Sequence, residues 1–388
     1  MANKIEGDDV MKSKKLYIYH TFLSRRNDLG HFHSINELTN QLDYIQEMGF
    51  TAVLTNPIFE SADDSHGYHI KNFYEVDHRL GTMEDFDNLL RELEKRDMSF
   101  IMDITLNHCS DQSFYFQDFK EGKNDFFVVR PTPSNNRATN IRNTIYEWRE
   151  DLKGWIVCPF GGQIPALNVS SDNVRNEMRN VLNFWLNKSS KHMHIRADAI
   201  FHNGWAVENH DGLPYAKFIR KVIDGINPEM QIIGEVWNDW DLRNTPIKYN
   251  QILKNTFDFY NVFSIVDQIR EGKTFEEINI DECYEKPVTL FSSNHDCSRA
   301  VSMLDNDIEK VKLLLKVIVE KGRDDDSVSI YYGTEANMQG LIWDCPDTVV
   351  RQTFDTIEMA KVIQDKESLF YYIKDLIAKD KERRGIKQ

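Results

Sequence analysis

The run MHIRADAI, residues 193–200, is apolar, contains residues that favour extended chain, and carries a carboxylate, Asp198, near its end. Two further runs repeat the pattern: QIIGEVW (231–237) carries Glu235, and PVTLFSSNHD (287–296) ends in Asp296. Runs of this length read as buried strands, and each is followed by a stretch that reads as helix. The acids therefore sit at the C-terminal ends of strands. In a closed parallel barrel those ends share one mouth, where the βα loops build the active site. The sequence thus predicts an α/β fold, a (β/α)8 TIM barrel, with three carboxylates converging in its mouth. Such a set suits glycosyl transfer.

Working outward, the same rhythm extends along the chain. KLYIYHTF (15–22), TAVLTNP (51–57) and SFIMDITLNH (99–108) read as the first three strands, separated by helical patterns at 35–48 and 83–96. The rhythm then breaks: residues 109–168 hold Pro131, Pro133, Pro159, Pro165 and the pair Gly161–Gly162. That stretch is too long for an ordinary βα connection and reads as a small subdomain inserted after strand 3. Beyond a helix at 173–187, LPYAKFIRKVI (213–223) follows strand four, the weaker run FDFYNVFSIV (257–266) supplies a sixth strand, and EKVKLLLKVIVEK (309–321) follows strand seven. VSIYYG (328–333) is the eighth strand, and a final helix lies near 368–384. The division is 11–108 for the first part of the barrel, 109–168 for the insert and 169–388 for the rest. Residues 1–10 read as a leader, since a second Met11 opens MKSKKLYIYH.

Composition narrows the partners. A net charge of -15 and a pI near 5.3 disfavour a surface that tracks phosphates, so nucleic acid is excluded. No apolar run approaches the roughly 18 residues that span a bilayer, and the N-terminus lacks a signal-type apolar core. Five cysteines, an odd number without metal-type spacing, fit free thiols in a reducing compartment. The chain reads as cytoplasmic, with no membrane partner.

The motifs carry a specific resemblance. DITLNH (103–108), HIRADAIFH (194–202), IIGEVW (232–237) and FSSNHD (291–296) are similar, in order and spacing, to the four short motifs of glycoside hydrolase family 13, the α-amylase family. HGYHIKNFYEVDHRLGTMEDF (66–86) resembles that family's second βα loop, IPALN (164–168) its motif before helix three, and YYGTE (331–335) its eighth-strand ending. The resemblance covers residues 15–384. It implies a retaining α-glycoside hydrolase or transglycosylase acting on maltodextrin-like oligosaccharides through a covalent glycosyl-enzyme intermediate. Asp198 is then the nucleophile, Glu235 the general acid/base, and Asp296 the carboxylate that holds sugar hydroxyls. The alternative is a catalytically silent amylase-like scaffold or carbohydrate-binding protein.

The chemistry matches these side chains. Cleaving an acetal with retention needs a carboxylate nucleophile on one face and a carboxylic acid beside the leaving oxygen. Crowding acids in one mouth raises the proton affinity of at least one. Arg196 lies two residues before Asp198, on the same strand face, where a guanidinium can hold the nucleophile ionised. By resemblance His108 and His295 donate to the reacting sugar, and Tyr68 is a stacking platform for a pyranose face. His202 begins the loop on the leaving-group side, and binding and structure weigh equally for it.

Departures from the family pattern set further expectations. Ala166 stands where an acid commonly helps hold calcium together with an Asn equivalent to Asn107, so no metal site is assigned, no cofactor is required and calcium is not favoured. His194 replaces a usual glycine. GRDDDS (322–327) reads as an acidic, mobile loop. No C-terminal β-sandwich follows the barrel. The final helix would then expose Leu369, Phe370, Tyr372, Ile373 and Leu376 to a homodimer contact or to residues 345–363 folding back.

Overall fold

The computed structural model describes residues 14–62, 66–132, 146–201, 212–237, 241–342 and 346–386. Strand β1 (Tyr17–His20) leads through α1 (Ile35–Asn40) and α2 (Leu42–Glu47) to β2 (Ala52–Leu54). The hairpin of β3 (Phe59–Ser61) and β4 (Ile70–Val76) precedes α3 (Met83–Lys95) and β5 (Ser99–Ile104). Next come α4 (Phe114–Lys120) and the short strands β6 (Val129–Arg130), β7 (Tyr146–Arg149) and β8 (Gly154–Val157). The chain continues through α5 (Asp172–Leu186), β9 (Met193–Ala197), α6 (Leu213–Ile226), β10 (Ile232–Gly234), α7 (Asn244–Leu253) and α8 (Phe259–Arg270). The final elements are β11 (Thr289–Phe291), α9 (Ala300–Met303), α10 (Ile308–Glu320), β12 (Ser327–Tyr331), α11 (Pro346–Val349), α12 (Thr356–Gln364) and α13 (Leu369–Arg383).

Seven strands form one parallel sheet in the order β10-β9-β5-β2-β1-β12-β11. Parallel bridges from Gly234 to Thr256 and from Phe257 to Thr289 span the gap between β10 and β11, so the sheet is nearly closed into the expected barrel. The sixth strand is thus two residues, and the expectation of a strand at 257–266 is corrected. Asp258 caps a helix there, its carboxylate accepting from the Asn261 amide, and Phe259, Val262, Ile265, Val266 and Ile269 are buried at helical spacing. An N-cap and a three-to-four periodicity outweigh the β-branched content of the run.

Local chemistry fixes the helices that wrap the barrel. Thr82 and Asp85 form a reciprocal capping box at the start of α3, and Ser171 caps α5. The predicted helix at 35–48 is two short helices that meet at Gln41. The stretch 322–327, expected to be mobile, is tied down: buried Asp326 accepts from the Val288 amide and from Arg323. Between β5 and α5 the short strands pair antiparallel in the order β6-β8-β7. Along β1 the side chains alternate. His20 faces the barrel interior beside Tyr331, whereas Tyr19 points outward to Phe50 and Glu335. Among the described residues no helix is long and apolar enough to cross a membrane.

Candidate active site

The ladder carries past the strand ends and fixes two of the acids. The Asp198 amide donates to Ile104 O at 3.1 Å, and the Glu235 amide donates to Ala197 O at 3.0 Å. Asp103 and Arg196 are register partners across β5 and β9, so their side chains lie on one face. Arg196, fully buried, is the hub. Its Nη1 bonds Asp103 Oδ2 and, at 3.0 Å, Asp198 Oδ1, while its Nη2 lies 2.7 Å from Glu235 Oε1. Glu235 Oε2 accepts from the Ala199 amide at 3.1 Å. Ala199 has φ 41, a left-handed turn directly after Asp198, and its carbonyl accepts from Asn107 Nδ2 at 2.8 Å.

Three carboxylates around one buried guanidinium cannot all stay ionised. Burial pushes the Asp198 carboxyl well above its usual range; Arg196 opposes this and the neighbouring Glu235 reinforces it. Burial also raises Asp103, to about 6, against the charges of Arg196 and His295. The Arg196 charge favours the ionised form of Asp198, and burial opposes it. One guanidinium does not offset the desolvation of two carboxylates in contact.

The third acid belongs to the same network. Asp296 Oδ2 lies 3.0 Å from His295 Nε2, and its Oδ1 accepts from Arg351 Nη2 at 3.0 Å. Burial opposes ionisation here too, but the charge and hydrogen bond of His295, then Arg351 and Arg196, hold the carboxyl well below its usual range. Tyr68 closes the circuit: its hydroxyl donates to Asp103 Oδ2 at 2.9 Å and meets His295 Nε2 at 2.7 Å. Its ring stacks on His295 with centroids 5.5 Å apart. His108 is buried, its Nδ1 is 2.7 Å from Asn107 Oδ1, and burial lowers its pKa to about 3, so the ring is neutral. Phe160, 44% exposed, stands over that ring at 5.0 Å.

The structure thus brings together Tyr68, Arg196, Asp198, Glu235, His295 and Asp296, with His108 beside Asn107 at the edge. His202 lies outside the described residues. Two participants were not singled out from sequence. Asp103 sits inside the quoted DITLNH motif, and its partnership with Arg196 depends on cross-strand register. Arg351 lies in the connection between α11 and α12, tied to the barrel by Gly30 N to Arg351 O at 2.6 Å. His194, at the opposite end of β9, accepts the Gln231 amide at 3.1 Å. Among the described residues a cluster of Glu60, Asp77 and His78 has metal-like spacing, but Asp77 is already bonded by Arg25 and Arg79.

Comparison with known proteins places this geometry. A family model described as alpha amylase, catalytic domain, matches residues 24–388. Alpha-amylase 3 of Dictyoglomus thermophilum is 25% identical over 334 residues, covering 82% of this chain and 62% of that protein. Glucan 1,6-alpha-glucosidase of Streptococcus pneumoniae serotype 4 is 26% identical over 374 residues, covering 86% of this chain and 64% of that protein. The chain therefore spans less than two thirds of the length of these two curated relatives. The solved alpha-amylase from H.orenii superposes with a TM-score of 0.78 at 20% identity, over 95% of this chain and 82% of that one, a likeness of fold.

Proposed function

Because the chain belongs to the α-amylase family through its catalytic domain, we propose that it is a retaining glycosidase that cleaves or transfers α-glucosidic bonds in malto-oligosaccharide-like substrates. The observation that carries this reading is the pairing of Asp198 and Glu235 on two nitrogens of one guanidinium at the barrel mouth. A sugar entering between the two carboxyls separates them. With a sugar bound, Arg196 stabilises the ionised Asp198. Asp198 attacks the anomeric carbon while Glu235 gives its proton to the leaving oxygen, which forms a glycosyl ester. Water, deprotonated by Glu235, or an acceptor hydroxyl then displaces Asp198 with overall retention. Asp296, kept ionised by His295 and Arg351, accepts from the sugar hydroxyls.

The same reading extends to setting and cofactors. The four described cysteines, Cys109, Cys158, Cys283 and Cys297, are unpaired, as suits a cytoplasmic enzyme. Asn107 spends its amide on Ala199 O and its carbonyl on His108, which supports activity without calcium. The test is release of reducing sugar from α-1,4- and α-1,6-linked oligosaccharides by the wild type and by Asp198→Asn, with and without chelator. Wild-type turnover in chelator, an α-anomer as first product and a drop of more than about 10³-fold in the variant are expected. A β-anomer, or equal rates in both proteins, overturns the assignment. Absence of turnover on every substrate instead favours a silent scaffold.

A further inference from the structure

Asn56, two residues past the end of β2, touches none of the acids, yet its side chain is fully buried and fully bonded. Its Oδ1 accepts from the Leu23 amide at 2.7 Å, and its Nδ2 donates to Leu23 O at 2.9 Å and to His66 O at 2.6 Å. These partners fix which way the amide points, since a backbone N–H can only donate and a carbonyl can only accept. One side chain therefore ties together the segment after β1, the end of β2 and the β3–β4 connection.

The tie to His66 bears on the site because His66 stands two residues before Tyr68. His66 has φ 52 and Gly67 has φ 99, so the chain takes two successive left-handed steps directly before the tyrosine. A histidine in that region costs free energy and persists only where its surroundings hold it. Gly67 rests against a tight floor: a Cβ there would lie 2.3 Å from Pro57 O and 2.9 Å from Arg25 Nη1. The floor is itself fixed, since buried Arg25 donates from Nη2 to Pro57 O at 2.9 Å and from Nε to Asp77 Oδ2 at 2.7 Å.

We propose that Asn56 is a positioning residue for Tyr68. Its amide holds the His66 carbonyl, the left-handed turn is thereby kept on the floor of Pro57 and Arg25, and the turn aims the Tyr68 hydroxyl at Asp103 Oδ2 and His295 Nε2, 2.9 and 2.7 Å away. An apolar side chain of similar size would fill the same volume but would leave the His66 carbonyl without this donor and release the turn. The consequence for turnover rests on the glycosidase reading above, whereas the placement of Tyr68 does not, and the two are measured separately.

Crystal structures of the wild type and Asn56→Ala give the first readout. The Tyr68 hydroxyl should leave hydrogen-bond reach of Asp103 Oδ2 while Arg196 keeps its contacts to Asp103, Asp198 and Glu235. A double-mutant cycle gives the second. Asn56→Ala should lower kcat/KM by about 10²-fold in the wild-type background, as misplacement of a site group does, and by less than about 2-fold in the Tyr68→Ala background. Tyr68 unmoved in Asn56→Ala overturns the proposal, as do equal losses in both backgrounds, which would show that Asn56 acts through something other than Tyr68. If Asn56→Ala does not fold, Asn56→Ser, too short to reach His66 O, makes the same contrast, and Gly67→Ala should displace Tyr68 from the other side of the turn. A chain without turnover on any α-glucoside would refute the glycosidase reading while the position of Tyr68 in the crystals still decides the role of Asn56.

Discussion

Arg196 joins Asp103, Asp198 and Glu235, and a guanidinium serves three acids because its nitrogens form a rigid planar fork. Lysine would offer a point charge and cannot hold Asp198 and Glu235 together. Arg196→Lys should therefore destabilise the fold by about 2–3 kcal/mol through lost charge-assisted bonds. Misplacement of the two carboxyls should lower kcat by about 10²-fold. Urea denaturation and steady-state kinetics check both; an unchanged kcat would show that the fork is only structural. Asp198, Glu235 and Asp296 were legible in the sequence because each ends an apolar run. Asp103 was not, since a mid-strand acid gains meaning only beside its neighbour in register. Arg351 reaches Asp296 through a loop whose path no periodicity encodes.

Among the elements, β1 and α13 are joined by a second buried ion cluster at the end of the barrel away from the acids. Asp380 Oδ2 accepts from Tyr17 OH at 2.7 Å and from Lys15 at 3.0 Å, and Arg384 bonds it at 3.0 Å. Burial opposes its charge, but Arg383, Lys15 and Tyr17 prevail and hold its pKa at about 2. A folded pKa below the unfolded value near 4 gives stability that is present above that value and lost as pH falls through 2. Asp380→Asn should thus cost about 2–3 kcal/mol at pH 7, and the difference from wild type should shrink toward zero near pH 2. Chemical denaturation at several pH values reads this, and a pH-independent difference would assign the loss to packing alone. The strands that carry acids were legible because β-branched runs end in turns. The sixth was not, because its two ladder residues, Thr256 and Phe257, run into the cap of α8.

For the molecule as a whole, the question raised by the sequence is what covers α13. Leu369, Phe370, Ile373, Leu376 and Ile377 are all buried within one chain. Phe370 packs against Tyr44 at 5.2 Å, the Tyr372 hydroxyl donates to Lys312 O on α10, and Lys381 donates to Gly49 O. Residues 356–364 form α12, which folds back: Ser368 Oγ donates to Val362 O and the Tyr371 hydroxyl to Ile363 O. The apolar residues of this helix are covered within the chain by α10, by Tyr44 and by the turn that follows β12. A stable homodimer through α13 would need an apolar patch of several hundred square ångströms per partner, whereas Leu369, Phe370, Ile373, Leu376 and Ile377 are buried among the described residues. Sedimentation should show no α13-dependent dimer at any concentration. Phe370→Glu should unfold the chain by burying a charge rather than release a dimer, with a loss of at least about 3 kcal/mol. A concentration-dependent dimer that Phe370→Glu converts to a folded monomer would instead show that α13 opens to meet a second copy.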